Sequence, residues 1–138
     1  MKEKISLNWL NDLAFEADVN GHKIYVDATE HGGGRNLGAK PKLLLLVALG
    51  GCTGMDVISI LKKMRVEVDS FEVSVEGDTR EEHPKTFTKM KVIYSFKGKD
   101  IPLDKAEKAV SLSRERYCSV YDIVKKVMEV DYEIRINE

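Results

Sequence analysis

Residues 41–64 constrain the fold more than any other part of this chain. Pro41 suits the first turn of a helix, where its missing N–H is not needed. Behind it Leu43 to Leu49 is apolar at every position. A helix is expected from Pro41 to about Met64, its first half buried on all sides and Met55, Ile58, Leu61 and Met64 continuing one face. The Leu43–Leu49 run is far short of the roughly 20 apolar residues that span a bilayer, so no membrane partner is expected. Gly50, Gly51 and Gly54 then surround Cys52 and Thr53. Each glycine inside a helix costs roughly 1 kcal/mol relative to alanine, so this one must admit something at close approach.

Around that helix the apolar residues alternate with period two: Ile5, Leu7 and Trp9, then Leu13, Phe15, Ala17 and Val19, then Ile24 and Val26. Asn20-Gly21 between the last two runs marks a tight hairpin, whose central residues need positive φ. Two more strands are expected around Phe71–Val75 and Met90–Phe96, with the loop Glu81-Glu82-His83-Pro84 between them. Helices are expected from Leu103 to about Tyr117 and from Ser119 onward through Val127, and a last strand holds Tyr132, Ile134 and Ile136. The layout is α+β in a single domain, residues 1–138.

With 22 basic and 23 acidic residues the chain lacks the positive field that grips a phosphate backbone, so nucleic acid is not an expected partner. Met1-Lys2-Glu3-Lys4 does not open a signal peptide, which places the protein in the cytoplasm. Stable structural disulfides are rare in that compartment, so Cys52 and Cys118 are read as functional or inert thiols.

The glycine-rich stretch His31-Gly32-Gly33-Gly34-Arg35-Asn36-Leu37-Gly38 lacks the Gly-Lys-Ser/Thr ending of a phosphate-binding loop, since Ala39-Lys40-Pro41 follows. A turn between strand and helix accounts for its glycines, with a functional Arg35 as the minority reading. His22, His31 and His83 show no metal-ligand spacing with the cysteines, so a zinc site has no support. Cysteine often serves as a small buried hydrophobe. Against that, Ser119 with Asp122 three residues on reads as a helix cap, which would set Cys118 at a positive helix end and favour its thiolate. The residues alone leave the inert and redox readings both open.

The run Pro41-Lys42-Leu43-Leu44-Leu45-Leu46-Val47-Ala48-Leu49-Gly50-Gly51-Cys52-Thr53-Gly54-Met55-Asp56-Val57, the Pro84-x-x-Phe87 passage and Tyr117-Cys118-Ser119-Val120 resemble the OsmC/Ohr family of osmotically inducible and organic-hydroperoxide-resistance proteins, in its OsmC-like branch. The resemblance covers nearly the whole chain. It implies an intertwined homodimer in which long buried central helices are wrapped by antiparallel strands, with active sites at the subunit interface. It also implies a thiol-dependent peroxidase that reduces organic hydroperoxides through a cysteine pair, without metal, flavin or haem. Cys52 would be the peroxidatic thiol, Cys118 the resolving one and Arg35 the cation that stabilises the thiolate and orients the peroxide. A small dithiol or another thiol would restore the pair. Lys42 stands where those peroxidases carry a glutamate that holds the arginine, and this departure keeps open a dimeric protein that binds an apolar or persulfide ligand with little turnover.

Overall fold

The computed structural model describes residues 1–138 and forms two compact units, Met1–Leu45 and Leu46–Glu138. The first is a three-stranded antiparallel meander, β1 (Leu7–Asn11), β2 (Ala14–Val19) and β3 (His22–Val26), in the order β1-β2-β3. Both turns follow from residues that tolerate the left-handed region: Asp12 at φ 44° between β1 and β2, and Asn20 at 41° with Gly21 at 89° between β2 and β3. The Gly21 N–H donates to Asp18 Oδ1 at 2.9 Å, closing the second turn.

Past β3 the glycine-rich stretch folds onto a single carboxylate. Asp27 is buried and accepts the backbone N–H groups of Ala28 at 2.7 Å, Arg35 at 3.2 Å and Leu37 at 3.0 Å. These bonds hold its carboxyl below the usual aspartate range, the Leu37 N–H contributing most. Two of the glycines are there because backbone passes against backbone. A Cβ at Gly34 would lie 2.2 Å from the Ala28 carbonyl oxygen, and one at Gly38 would lie 2.4 Å from that of Tyr25. The structural reading of this loop therefore holds.

A single 3-10 turn over Pro41–Leu43 leads into α1 (Leu44–Lys63), all but the first two residues of which belong to the second unit. The helix packs with β4 (Ser70–Thr79), β5 (Phe87–Lys97), α2 (Leu103–Leu112), α3 (Ser119–Val124) and β6 (Glu129–Ile136). The sheet order is β4-β5-β6; β4 and β5 are antiparallel, but β6 runs parallel to β5, pairing Lys89 with Glu129 through Phe96 with Ile136. An alternating pattern fixes which face a strand buries and not its direction. The helical connection from β5 to β6 is long enough for the crossover that a parallel pair requires.

The expectation that α1 is buried all round fails within this chain. Leu49, Gly50, Thr53, Gly54, Val57 and Leu61 form one buried stripe at helical spacing, while Val47 is 64% and Met55 72% exposed. Met55 and Leu61 are six residues apart, about 240° around a helix with 3.6 residues per turn, so they cannot share a face. Counted from Pro41, the helix has 23 residues and passes the length and composition test for a membrane span. Its buried stripe nevertheless faces β5 and α2 in the core: Leu49, Val57 and Leu61 cluster with Met90, Val92, Tyr94 and Phe96 and with Ala106, Ala109 and Val110. Two of the three helical glycines, Gly50 and Gly54, have their close neighbour in β4, while Gly51 is exposed with no close neighbour within this chain. A Cβ on Gly50 would lie 3.0 Å from a Val75 methyl, and one on Gly54 would lie 3.1 Å from a Val73 methyl.

Candidate active site

Cys52 and Asp56 are four residues apart on α1 and so project from the same side of the helix, one turn after the other. Cys118 reaches them from the far end of the connection that follows α2. That helix is shorter than its apolar pattern suggests and ends in a π-helical turn, Ser113–Tyr117, closed by the Cys118 N–H donating to the Ser113 carbonyl at 2.8 Å. The two sulfurs and a carboxylate oxygen of Asp56 all lie within 4.8 Å of one another. None of the three histidines belongs to this set, and Cys118 does not offer the thiolate a soft metal ion needs.

Cys118 is itself the cap of α3. Its Sγ accepts the Tyr121 N–H at 3.3 Å, whereas Ser119, expected in that role, is the exposed first helical residue. The electrostatic consequence is the reverse of the expected one. Cys118 is only 3% exposed, and its thiol is pushed up from 9.0 to about 12. Burial is the largest cause, opposed by the Tyr121 N–H and reinforced by a hydrogen bond with Cys52 and by the charges of Cys52 and Asp56. A helix of six residues supplies too little field to overcome removal of a thiolate from water.

Behind the thiols lies a buried chain of hydroxyls that the sequence reading did not single out. Ser113 Oγ donates to Asp56 Oδ2 at 2.9 Å. With its only proton committed there, Ser113 must accept from Thr53 Oγ1 at 2.8 Å, and Thr53 in turn accepts from Tyr94 Oη at 2.8 Å. Tyr94 suits the donor end because burial raises its phenol above the ordinary value of 10.0 and keeps it protonated. The proton-donating direction thus runs from Tyr94 through Thr53 and Ser113 to Asp56. The Cys52-x3-Asp56 spacing was the visible sign of this arrangement; the partners on β5 and after α2 left none.

Arg35 belongs to the first unit. Its backbone is fixed on Asp27, and its guanidinium Nε stands 3.8 Å from Asp12 Oδ2, with the side chain 60% exposed. A pair so open to water is worth little. Arg114 is more tightly held, lying over the rings of Tyr121 at 4.4 Å and Tyr132 at 4.6 Å while its Nη2 donates to the Val130 carbonyl at 2.9 Å.

The family described as OsmC-like protein matches residues 32–133. The chain is also similar to Protein YhfA of Escherichia coli strain K12, with 32% identity over 131 residues, covering 94% of this chain and 95% of YhfA. A hypothetical protein from Aquifex aeolicus VF5, known from its crystal structure, matches 100% of this chain and 99% of its own at a TM-score of 0.84 and 32% identity. The organic hydroperoxide resistance protein OhrB of Bacillus subtilis shares the fold, at a TM-score of 0.65 over 98% of both chains with 17% identity.

Proposed function

The chain belongs to the OsmC/Ohr family, and from that premise we propose that it is a thiol-dependent peroxidase that reduces organic hydroperoxides in the cytoplasm. The observation that carries this reading is the pair of free thiols, Cys52 and Cys118, brought within 4.8 Å of each other. In the proposed cycle the Cys52 thiolate attacks the outer peroxide oxygen, the O–O bond breaks, and the departing alkoxide takes a proton and leaves as an alcohol. Cys52 is left as a sulfenic acid, which condenses with Cys118 to a disulfide and water. A dithiol then reduces the disulfide by exchange. No cofactor enters these steps. The apolar side chains of the central helix favour an organic hydroperoxide over hydrogen peroxide. Hydroperoxide consumption with a dithiol donor tests the reading; slow or absent turnover alongside retention of an apolar or persulfide ligand would favour the binding protein instead.

Arg35 is assigned by resemblance to stabilise the Cys52 thiolate and orient the peroxide. Arg35→Ala should slow single-turnover peroxide attack at neutral pH by roughly tenfold or more and move the pH profile of Cys52 alkylation upward, because a nearby cation favours the charged thiol. Lys42→Glu should raise the rate by giving the arginine a bidentate partner. An unchanged alkylation profile in Arg35→Ala removes Arg35 from the site and turns attention to Arg114 and Arg116.

The working form is proposed to be a homodimer and residues 1–138 one OsmC-like domain, a reading supported by the likeness to YhfA over 94% of this chain. Large apolar side chains stand exposed in the single chain, among them Trp9 at 66%, Val47 at 64% and Met55 at 72%. A second copy would remove such surface from water. Light scattering through a dilution series should return a dimer with no stable folded monomer. A compact folded monomer at low concentration would contradict this.

A further inference from the structure

Cys118 poses a difficulty for any disulfide-forming cycle. A thiol titrating at about 12 is almost wholly protonated at neutral pH, yet it is the thiolate that attacks sulfur. The site also holds a carboxylate with no role so far.

We propose that Asp56 is the base for Cys118, taking its thiol proton as that sulfur attacks oxidised Cys52 and passing it to the departing hydroxide. The proposal rests on the peroxidase reading above and assigns the proton transfer within it. The Cys118 S–H bond breaks and an O–H bond forms on the Asp56 carboxylate. The sulfur's electron pair makes the S–S bond to Cys52 as the Cys52 S–O bond breaks. The hydroxide that leaves receives the proton from Asp56 and becomes water. Cys118 is oxidised, Cys52 is reduced from sulfenic acid to disulfide, and Asp56 ends as it began.

The geometry supports each part. One Asp56 oxygen lies within 4.8 Å of both sulfurs, the thiol that must lose a proton and the one that must shed hydroxide. The Ser113 hydroxyl fixes the carboxylate, and the buried chain through Thr53 to Tyr94 fixes Ser113. Asp56 also lines a groove with Ser59, Lys63 and Tyr117, which gives it a route for proton exchange with solvent. The other titratable groups around the pair are Cys52 and Lys63 on α1, Tyr94 on β5, Tyr121 on α3, and Arg114 and Tyr117 in the π turn. None of these is a carboxylate, which leaves Asp56 as the only one at the pair. Arg114 is a cation, and Tyr94 already donates its proton to Thr53.

Cys118 attack can be followed without peroxide. An aromatic disulfide such as dithiobis(nitrobenzoate) labels Cys52, and the second release of thionitrobenzoate then reports Cys118 attacking the mixed disulfide; Cys118→Ser should give the first release only. At pH 7, Asp56→Asn should slow the second release about 100-fold without slowing the first. The residual rate should climb about tenfold per pH unit between pH 7 and 9, where the wild type is flatter. Asp56→Glu should recover part of the rate. Ser113→Ala, which keeps the carboxylate and removes its orienting donor, should fall between Asp56→Asn and wild type. A second release in Asp56→Asn with the wild-type rate and pH profile, in protein whose thermal melt shows it folded, overturns the proposal. A slowed release that retains the wild-type pH profile also overturns it, because that is the mark of a purely structural role. An Asp56 dependence of the second release, together with no disulfide in wild type and no sulfenic acid at Cys52 of Cys118→Ser after a hydroperoxide pulse, would instead reject the peroxidase reading and leave the base assignment standing.

Discussion

Cys52→Ser is expected to reduce organic hydroperoxide turnover by at least about a thousandfold, to the background of peroxide with free dithiol. A serine hydroxyl is far too weakly acidic to supply the nucleophile, and only one other sulfhydryl is present, the buried Cys118. Cys118→Ser should act differently, allowing one oxidation of Cys52 and then stopping or becoming erratic, because the sulfenic acid has lost its internal partner. Mass spectrometry after one equivalent of peroxide should find oxygen added at Cys52 and no intramolecular disulfide. Undiminished turnover by Cys52→Ser would end the proposed mechanism.

The second large effect is the inertness of Cys118. A thiol at about 12 in place of 9.0 carries about a thousandfold less thiolate at neutral pH. In Cys52→Ser, where Cys118 is the sole cysteine and Cys52 no longer adds its hydrogen bond and charge to the shift, alkylation of the native protein should be slower than in denaturant by somewhat less than that factor. Burial, the largest cause of the shift, persists in that variant. Equal rates in the two conditions would show that the sulfur is not desolvated. The same shift makes stability depend on pH. The folded chain holds the Cys118 proton more tightly than the unfolded one, so this contribution is complete below about pH 9 and is lost as pH rises toward about 12. Alkaline titration of wild type against Cys118→Ser should show a steeper decline in the former, since raised groups such as Tyr94 lose stability in both.

How much of this could be read from the chain depended on how local each cause was. The Asn20-Gly21 hairpin was legible because its reason lies in two adjacent residues that accept positive φ. The central helix was legible from its apolar run, and Gly50 and Gly54 did signal a close approach, now seen as β4 valines, whereas Gly51 meets nothing within this chain. The direction of β6 was not, since side-chain alternation is the same for either orientation. Nor was the cap of α3: Ser119 matches the usual chemistry, but the preceding backbone is extended at Cys118, with φ −77° and ψ 101°, and puts the sulfur where the serine oxygen was expected. The acidity of Cys118 was misjudged because burial is a property of the packed unit and outweighs a neighbouring helix end. Asp56 went unnoticed because a carboxylate on a helix is ordinary until Ser113 and Cys118 arrive beside it from a distant segment.

The three N–H bonds to Asp27 bear on what Arg35 loses when it is immobilised. The Arg35 backbone is already clamped by its own N–H and by that of Leu37 two residues on, and Asn36 between them donates its N–H to the Ala28 carbonyl at 3.0 Å. Whatever anion the guanidinium meets, the entropy still to be lost belongs to the rotamers of one exposed side chain, at most about 2 kcal/mol, with little further toll from ordering a loop. Asp27→Asn would release that clamp and make the same encounter entropically dearer without touching the guanidinium.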